Sequence, residues 1–72
     1  MVENTLGEQY KRRRKELKIT QSQLAELTNI SVNTLVQLER GKGNPTLDIM
    51  TKVADALGLE LTLQVRKLTI TP

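Results

Sequence analysis

A chain of 72 residues, 38% hydrophobic and 26% charged, has the composition of one small folded domain rather than a disordered or fibrous segment. With no Cys and no His it has no disulfide, no thiolate nucleophile and no zinc knuckle, and it lacks the commonest general base and metal ligand. Eleven Lys and Arg against eight Asp and Glu leave a net charge of +3, a modest excess whose placement matters more than its size.

Residues 6–17 have no Gly or Pro beyond Gly7 and are mostly good helix formers. Leu6, Tyr10 and Leu17 fall on one face at helical spacing, and Asn4 or Thr5 can cap the start. The run Lys11-Arg12-Arg13-Arg14-Lys15 points all round the axis, so it makes a mostly solvated face rather than a single patch. After a break at Lys18-Ile19, Thr20-Gln21-Ser22-Gln23 has the form of a capping box. It opens a second helix with Leu24, Ala25 and Leu27 as the expected buried stripe. Thr28-Asn29-Ile30 ends it, because Asn tolerates the left-handed backbone of a sharp helix exit.

Ser31 caps a third helix that runs to about Arg40, with Leu35 and Leu38 inward and Gly41 as its stop. Gly43-Asn44-Pro45 is loop chemistry. Thr46 caps a fourth helix whose expected apolar stripe is Leu47, Met50, Val53, Ala54 and Leu57, and Gly58 stops it. The period then changes from helical to two. Leu59, Leu61, Leu63 and Val65 alternate with polar residues as in a half-buried strand, with Leu68 and Ile70 as an extension. No second strand is predicted elsewhere in the sequence, so this one must pair outside the chain, most simply antiparallel with its own copy about a two-fold axis.

The second and third helices, joined by a short turn, have helix-turn-helix form. On the third, Val32, Asn33, Val36, Gln37 and Arg40 share the outward face. Asn and Gln each present a donor and an acceptor to adenine in the major groove, Val meets thymine methyls, and Arg reaches phosphate or guanine. The bland alternative is a surface of ordinary amides and incidental valines. Tyr10 is the lone aromatic, so the stacking platforms of single-strand binders are absent.

Residues 6–58 resemble the Cro/Xre-type helix-turn-helix of phage repressors. The resemblance is carried by Arg14, by Ile19-Thr20-Gln21-Ser22-Gln23-Leu24-Ala25, by Ile30-Ser31, Leu35 and Leu38-Glu39-Arg40-Gly41-Lys42, by Pro45-Thr46-Leu47, and by Ala54-Asp55-Ala56-Leu57-Gly58. Four helices followed by Leu59-Glu60-Leu61-Thr62-Leu63 look more narrowly like HipB-type antitoxins, whose terminal strands pair in the dimer. The expected fold is therefore all-α: a lambda-repressor-like domain of four to five helices over residues 1–58. Residues 59–72 then form a short β-strand and tail that dimerise the protein.

The resemblance implies that Gln21 bonds a phosphate, and that Ser31, Val32, Asn33 and Gln37 meet bases and their flanking phosphates. It implies that the loop from Lys42 through Asn44 to Thr46 grips the adjoining strand. Gln23 either caps its helix or contacts phosphate. Arg14 and Glu39 match a buried ion pair. Two positions depart from the family: Lys18 stands where Gly is usual, and Arg13 where an apolar residue is common, with Leu17 expected to supply the lost contact.

The implied function is a homodimeric, sequence-specific regulator, most simply a repressor, on a palindromic double-stranded operator with half-sites about 34 Å apart. The narrower match adds an autoregulating antitoxin with a HipA-type toxin kinase as partner. The alternative is a protein-interaction module that keeps the fold without specific DNA binding. Scattered acids and the lack of a Gly-rich phosphate loop argue against an enzyme, and no cofactor or metal is expected. No apolar run approaches the roughly 20 residues of a membrane span, and the first residues lack signal-peptide character, so no membrane partner and a cytoplasmic location are expected.

Overall fold

The computed structural model describes residues 5–62. Four helices follow in chain order: α1 (Leu6–Glu16), α2 (Gln21–Thr28), α3 (Val32–Glu39) and α4 (Leu47–Ala56). Each begins with an extended hydroxyl residue whose side chain accepts the backbone N–H three positions on: Thr5, Thr20, Ser31 and Thr46. Thr20 is half of a complete capping box, since Gln23 Oε1 accepts the Thr20 N–H at 2.7 Å.

The helices also share one way of stopping. A residue with left-handed backbone follows each last turn, namely Lys18 (φ +59°), Asn29 (+57°), Gly41 (+73°) and Gly58 (+70°). The next N–H then reaches back five positions: Ile19 to Arg14 O, Ile30 to Ala25 O, Lys42 to Gln37 O and Leu59 to Ala54 O, at 2.8–3.3 Å. In three of these closures the returning residue is apolar, and Ile19, Ile30 and Leu59 all pack against the core. The fourth returning residue is Lys42, and it is exposed.

The core is Tyr10, Leu24, Leu35, Leu38, Val53, Ala54 and Leu57. Helix α1 packs on α3, and α2 packs on both α3 and α4. Tyr10 ties α1 to α4 by donating its hydroxyl to Met50 O at 2.7 Å. Burial pushes its phenol pKa up, which keeps it a donor. At the α1–α3 crossing a Cβ on Gly7 would overlap the Leu38 carbonyl and stand 2.9 Å from that of Glu39, so only glycine admits this approach.

Beneath the crossing lies a buried ion pair. Arg14 Nε and Nη2 donate to Glu39 Oε2 and Oε1 at 2.7 and 3.0 Å, and the side chains are 10% and 3% exposed. Arg14 Nη1 also donates to Ile19 O at 2.9 Å, and Gln21 Nε2 to Glu39 Oε1 at 3.1 Å. No buried side-chain polar atom among the described residues lacks a partner.

Several expectations are corrected. Leu27 and Leu47 are 66% and 69% exposed rather than in the stripes, and Leu17 is 40% exposed. On α2 the buried line is Leu24 and Thr28, one turn apart, with Ala25 half-buried beside it. Thr28 takes the inward place because its hydroxyl donates to Leu24 O at 2.8 Å, which turns Leu27 outward. Leu17 is the C-cap of α1 and Leu47 the first residue of α4, so both sit at helix ends. Exposed Leu17 replaces no contact at Arg13. Arg13 instead donates from Nε to Leu57 O at 2.9 Å, capping the end of α4. Residues 59–62 form no strand; the four helices among the described residues lie within the four to five expected. The rest of the expected strand, Leu63 and Val65 included, and its extension through Leu68 and Ile70 lie outside them.

Two stability changes are expected. A left-handed non-glycine residue costs about 1–2 kcal/mol, and glycine's extra unfolded freedom returns about 0.5–1 of that. Lys18→Gly should thus stabilise by about 0.5–1 kcal/mol, a rise of about 2–8 °C in Tm by circular dichroism. Arg14→Met or Glu39→Leu alone should cost about 3–5 kcal/mol, because each leaves a buried charge unpaired. The double variant should recover much of that loss in urea titrations; equal destabilisation of single and double variants would contradict a desolvated pair.

Candidate nucleic-acid interface

Helix α3 turns through about 100° per residue, so Val32, Val36, Arg40, Asn33 and Gln37 fall within an arc of about 140°. Leu35 and Leu38 occupy the opposite side, Glu39 lies at the edge of the arc beside Val32, and all three are buried. That division holds the amide face outward. Val32, Asn33 and Arg40 are exposed, while Val36 within the arc and Gln37 at its edge are half-buried.

The loop after α3 is fastened to it. Gly41 N–H reaches Leu38 O at 3.1 Å and Lys42 N–H reaches Gln37 O at 2.8 Å, which carries the chain back along the helix. At Gly43 (φ +75°) the backbone passes close to Gln37, whose Cβ lies 3.8 Å from where a Cβ would stand. A shallow groove results, bordered by Asn33, Thr34, Gln37, Lys42 and Asn44. Lys42 and Asn44 are exposed there. From Ser31 to Thr46 the only acid is Glu39, buried and paired with Arg14. This segment therefore presents Arg40 and Lys42 with no uncompensated carboxylate of its own, and the exposed Glu26 of α2 lies beside Ser31 and Val32.

Other expected site residues sit differently. Ser31 is exposed, but its hydroxyl donates to Thr34 Oγ1 at 2.8 Å while accepting the Thr34 N–H at 3.1 Å. Its proton is spent locally, and the Thr34 hydroxyl proton becomes the one available to a ligand. Thr34 escaped the sequence-based selection; its signal is the third position after a serine cap, where the two hydroxyls meet. Gln21 is half-buried and gives one amide N–H to Glu39, leaving its second N–H as a donor. Gln23 is exposed, with Oε1 committed to the capping box and its amide N–H groups unused by any described residue. Gln21 and Gln23 are not among the residues that border the groove. Of the residues expected to dimerise the protein, Leu59 packs on its own core and Leu61 is 37% exposed.

Residues 11–64 match the family model described as helix-turn-helix. The chain is 42% identical over 66 residues to the immunity repressor protein of Bacillus phage phi105, covering 92% of this chain and 46% of that protein. It is 43% identical over 47 residues to an uncharacterized HTH-type transcriptional regulator of Methanothermobacter thermautotrophicus, covering 65% of this chain and 68% of that one. It is also 35% identical over 56 residues to the cryptic phage CTXphi transcriptional repressor RstR of Vibrio cholerae, covering 78% and 50%. The chain thus spans about half the length of the two phage proteins. With capped α2 and α3 around a three-residue turn and the family match extending over both, the chain belongs to the Cro/Xre-type helix-turn-helix family.

Proposed function

We propose that the protein is a sequence-specific, double-stranded-DNA-binding transcriptional regulator acting as a repressor. The observation that carries this is the outward face of α3, where Asn33 and Gln37 stand with Val32, Val36 and Arg40, and where the one acid of α3, Glu39, is buried against Arg14. The amides suit adenine edges, the valines thymine methyls, and Arg40 with Lys42 the phosphates. Gln21, Gln23, Ser31 and Asn44 complete the contact set from the flanks, with Thr34 added to it. Two of the similar proteins, an immunity repressor and a transcriptional repressor, point the same way. The antitoxin role and its HipA-type kinase gain nothing from the described residues, so the proposal is the repressor alone.

The protein acts as a homodimer joined through residues 59–65, with two α3 helices in successive major grooves. Support comes from the two-residue apolar period of that segment and from the small size of the domain.

Selection from randomised duplexes should recover a palindrome with half-sites about one helical turn apart. On that site Gln37→Ala should cost about 1–3 kcal/mol per half-site and relax preference at one base, with the salt dependence unchanged because phosphate contacts remain. An equal loss on random DNA would refute base readout by Gln37. Leu63→Lys should convert the dimer to monomers by light scattering, and an unchanged mass would refute joining through this segment.

A further inference from the structure

A second groove lies away from the α3 face. Leu6 at the start of α1, Leu47 and Met50 on the first turns of α4, and Leu61 line it, with Asp55 and Glu60 beside them. Leu47 is 69% exposed and Leu61 37%, which puts bulky apolar surface at the point where the described chain ends. Neither Asp55 nor Glu60 makes an ion pair with a described residue.

We propose that this groove receives residues 63–70 of a second copy of the chain. The inference rests on the dimer reading above and deepens it by naming the surface that each arm covers. The chemistry of the segment is complementary: Leu63, Val65, Leu68 and Ile70 supply apolar side chains, Arg66 and Lys67 supply cations, and there is no acid. Asp55 and Glu60 meet those cations, and the four apolar groove residues meet the apolar ones.

The copy is a second one because of how the chain leaves. Leu61 and Thr62 themselves border the groove, so the same chain must reverse at once to lie over Leu47 and Leu6. Residues 59–70 contain no Gly, Pro, Asn or Asp, the residues that make tight reversals. An arm that continues forward instead passes to a two-fold-related neighbour. Antiparallel pairing centred on Thr62 sets Leu61 opposite the Leu63 of the copy on one face and brings Arg66 diagonal to Glu60. Eight residues at about 3.3 Å each span roughly 26 Å, enough to run the length of the first turns of α4.

The absence of native cysteine makes the test clean. Chains carrying Leu47→Cys alone and Val65→Cys alone are mixed and oxidised. A disulfide-linked heterodimer is expected, and none from either variant by itself. Failure to cross-link overturns the proposal, as does a link at monomer mass in the chain bearing both changes, which would place the arm on its own domain. Leu47→Lys, at a position too exposed to upset the core, should raise the dimer dissociation constant at least tenfold by analytical ultracentrifugation. If Leu63→Lys gives monomers while Leu47→Lys leaves the dimer unchanged, the groove proposal fails and joining through residues 59–65 survives. If neither change affects the dimer, both fail.

Discussion

Helix α3 is two turns long, too short to hold a shape or direction by its own hydrogen bonds. Its final turn is fixed by the Arg14–Glu39 pair, which joins three helices at one carboxylate: Arg14 from α1, Gln21 from α2 and Glu39 from α3 itself. Burying two charges costs several kcal/mol, and the fork geometry with its additional bonds repays that only when every donor is aligned. The pair therefore contributes more to geometry than to net stability. Any rotation of α3 that broke the alignment would strand a charge in the core. Gly7 acts on the same turn, since the backbone of α1 presses on the Leu38 and Glu39 carbonyls where a methyl group would not fit. A DNA-reading face gains from such rigidity, because no ordering of the helix is then left to be done on binding.

The same carboxylate settles a problem of charge. A surface proposed to meet phosphates has no use for an acid, yet Glu39 lies between Leu38 and Arg40 in α3. Facing inward and paired, it presents no free charge to an approaching duplex, while Gln21 is turned by it into a donor at the edge of the surface. One residue thus places the helix and aims a neighbouring amide.

Much of this was legible in the sequence because it depends on local chemistry. Thr20, Ser31 and Thr46 declare helix starts by their hydroxyls, Asn29, Gly41 and Gly58 declare stops by their backbone tolerance, and the outward arc of α3 follows from Leu35 and Leu38 pointing in. What was misjudged depends on tertiary context. Leu27 and Leu47 satisfy the helical period but fall outside the packed footprint, whereas Thr28 enters it because a buried hydroxyl can return its proton to the helix backbone. Arg13 looks like a lost apolar contact until the end of α4 is seen to lie within reach of its guanidinium. The alternation after Gly58 has the period of a strand, but a strand needs a partner, and residues 59–62 form none: Leu59 is drawn onto the core instead.

The four helix closures carry a further consequence. Three use an apolar residue after the left-handed position and spend it on the core: Ile19, Ile30 and Leu59. The closure of α3 uses Lys42 in the same geometric place. The C-terminal end of a helix bears a partial negative charge from its unpaired carbonyls, so phosphate brought there is repelled. The closure itself occupies the Gln37 and Leu38 carbonyls with the N–H groups of Lys42 and Gly41, and the cations of Arg40 and Lys42 offset what remains. A hydrophobic residue at position 42 would complete the fold equally well by the rule the other three obey. It would leave the negative end of the helix with Arg40 as its one nearby cation from this segment. The exception to the folding rule therefore falls on the face proposed to meet DNA, where a cation would serve binding and an apolar residue would serve packing.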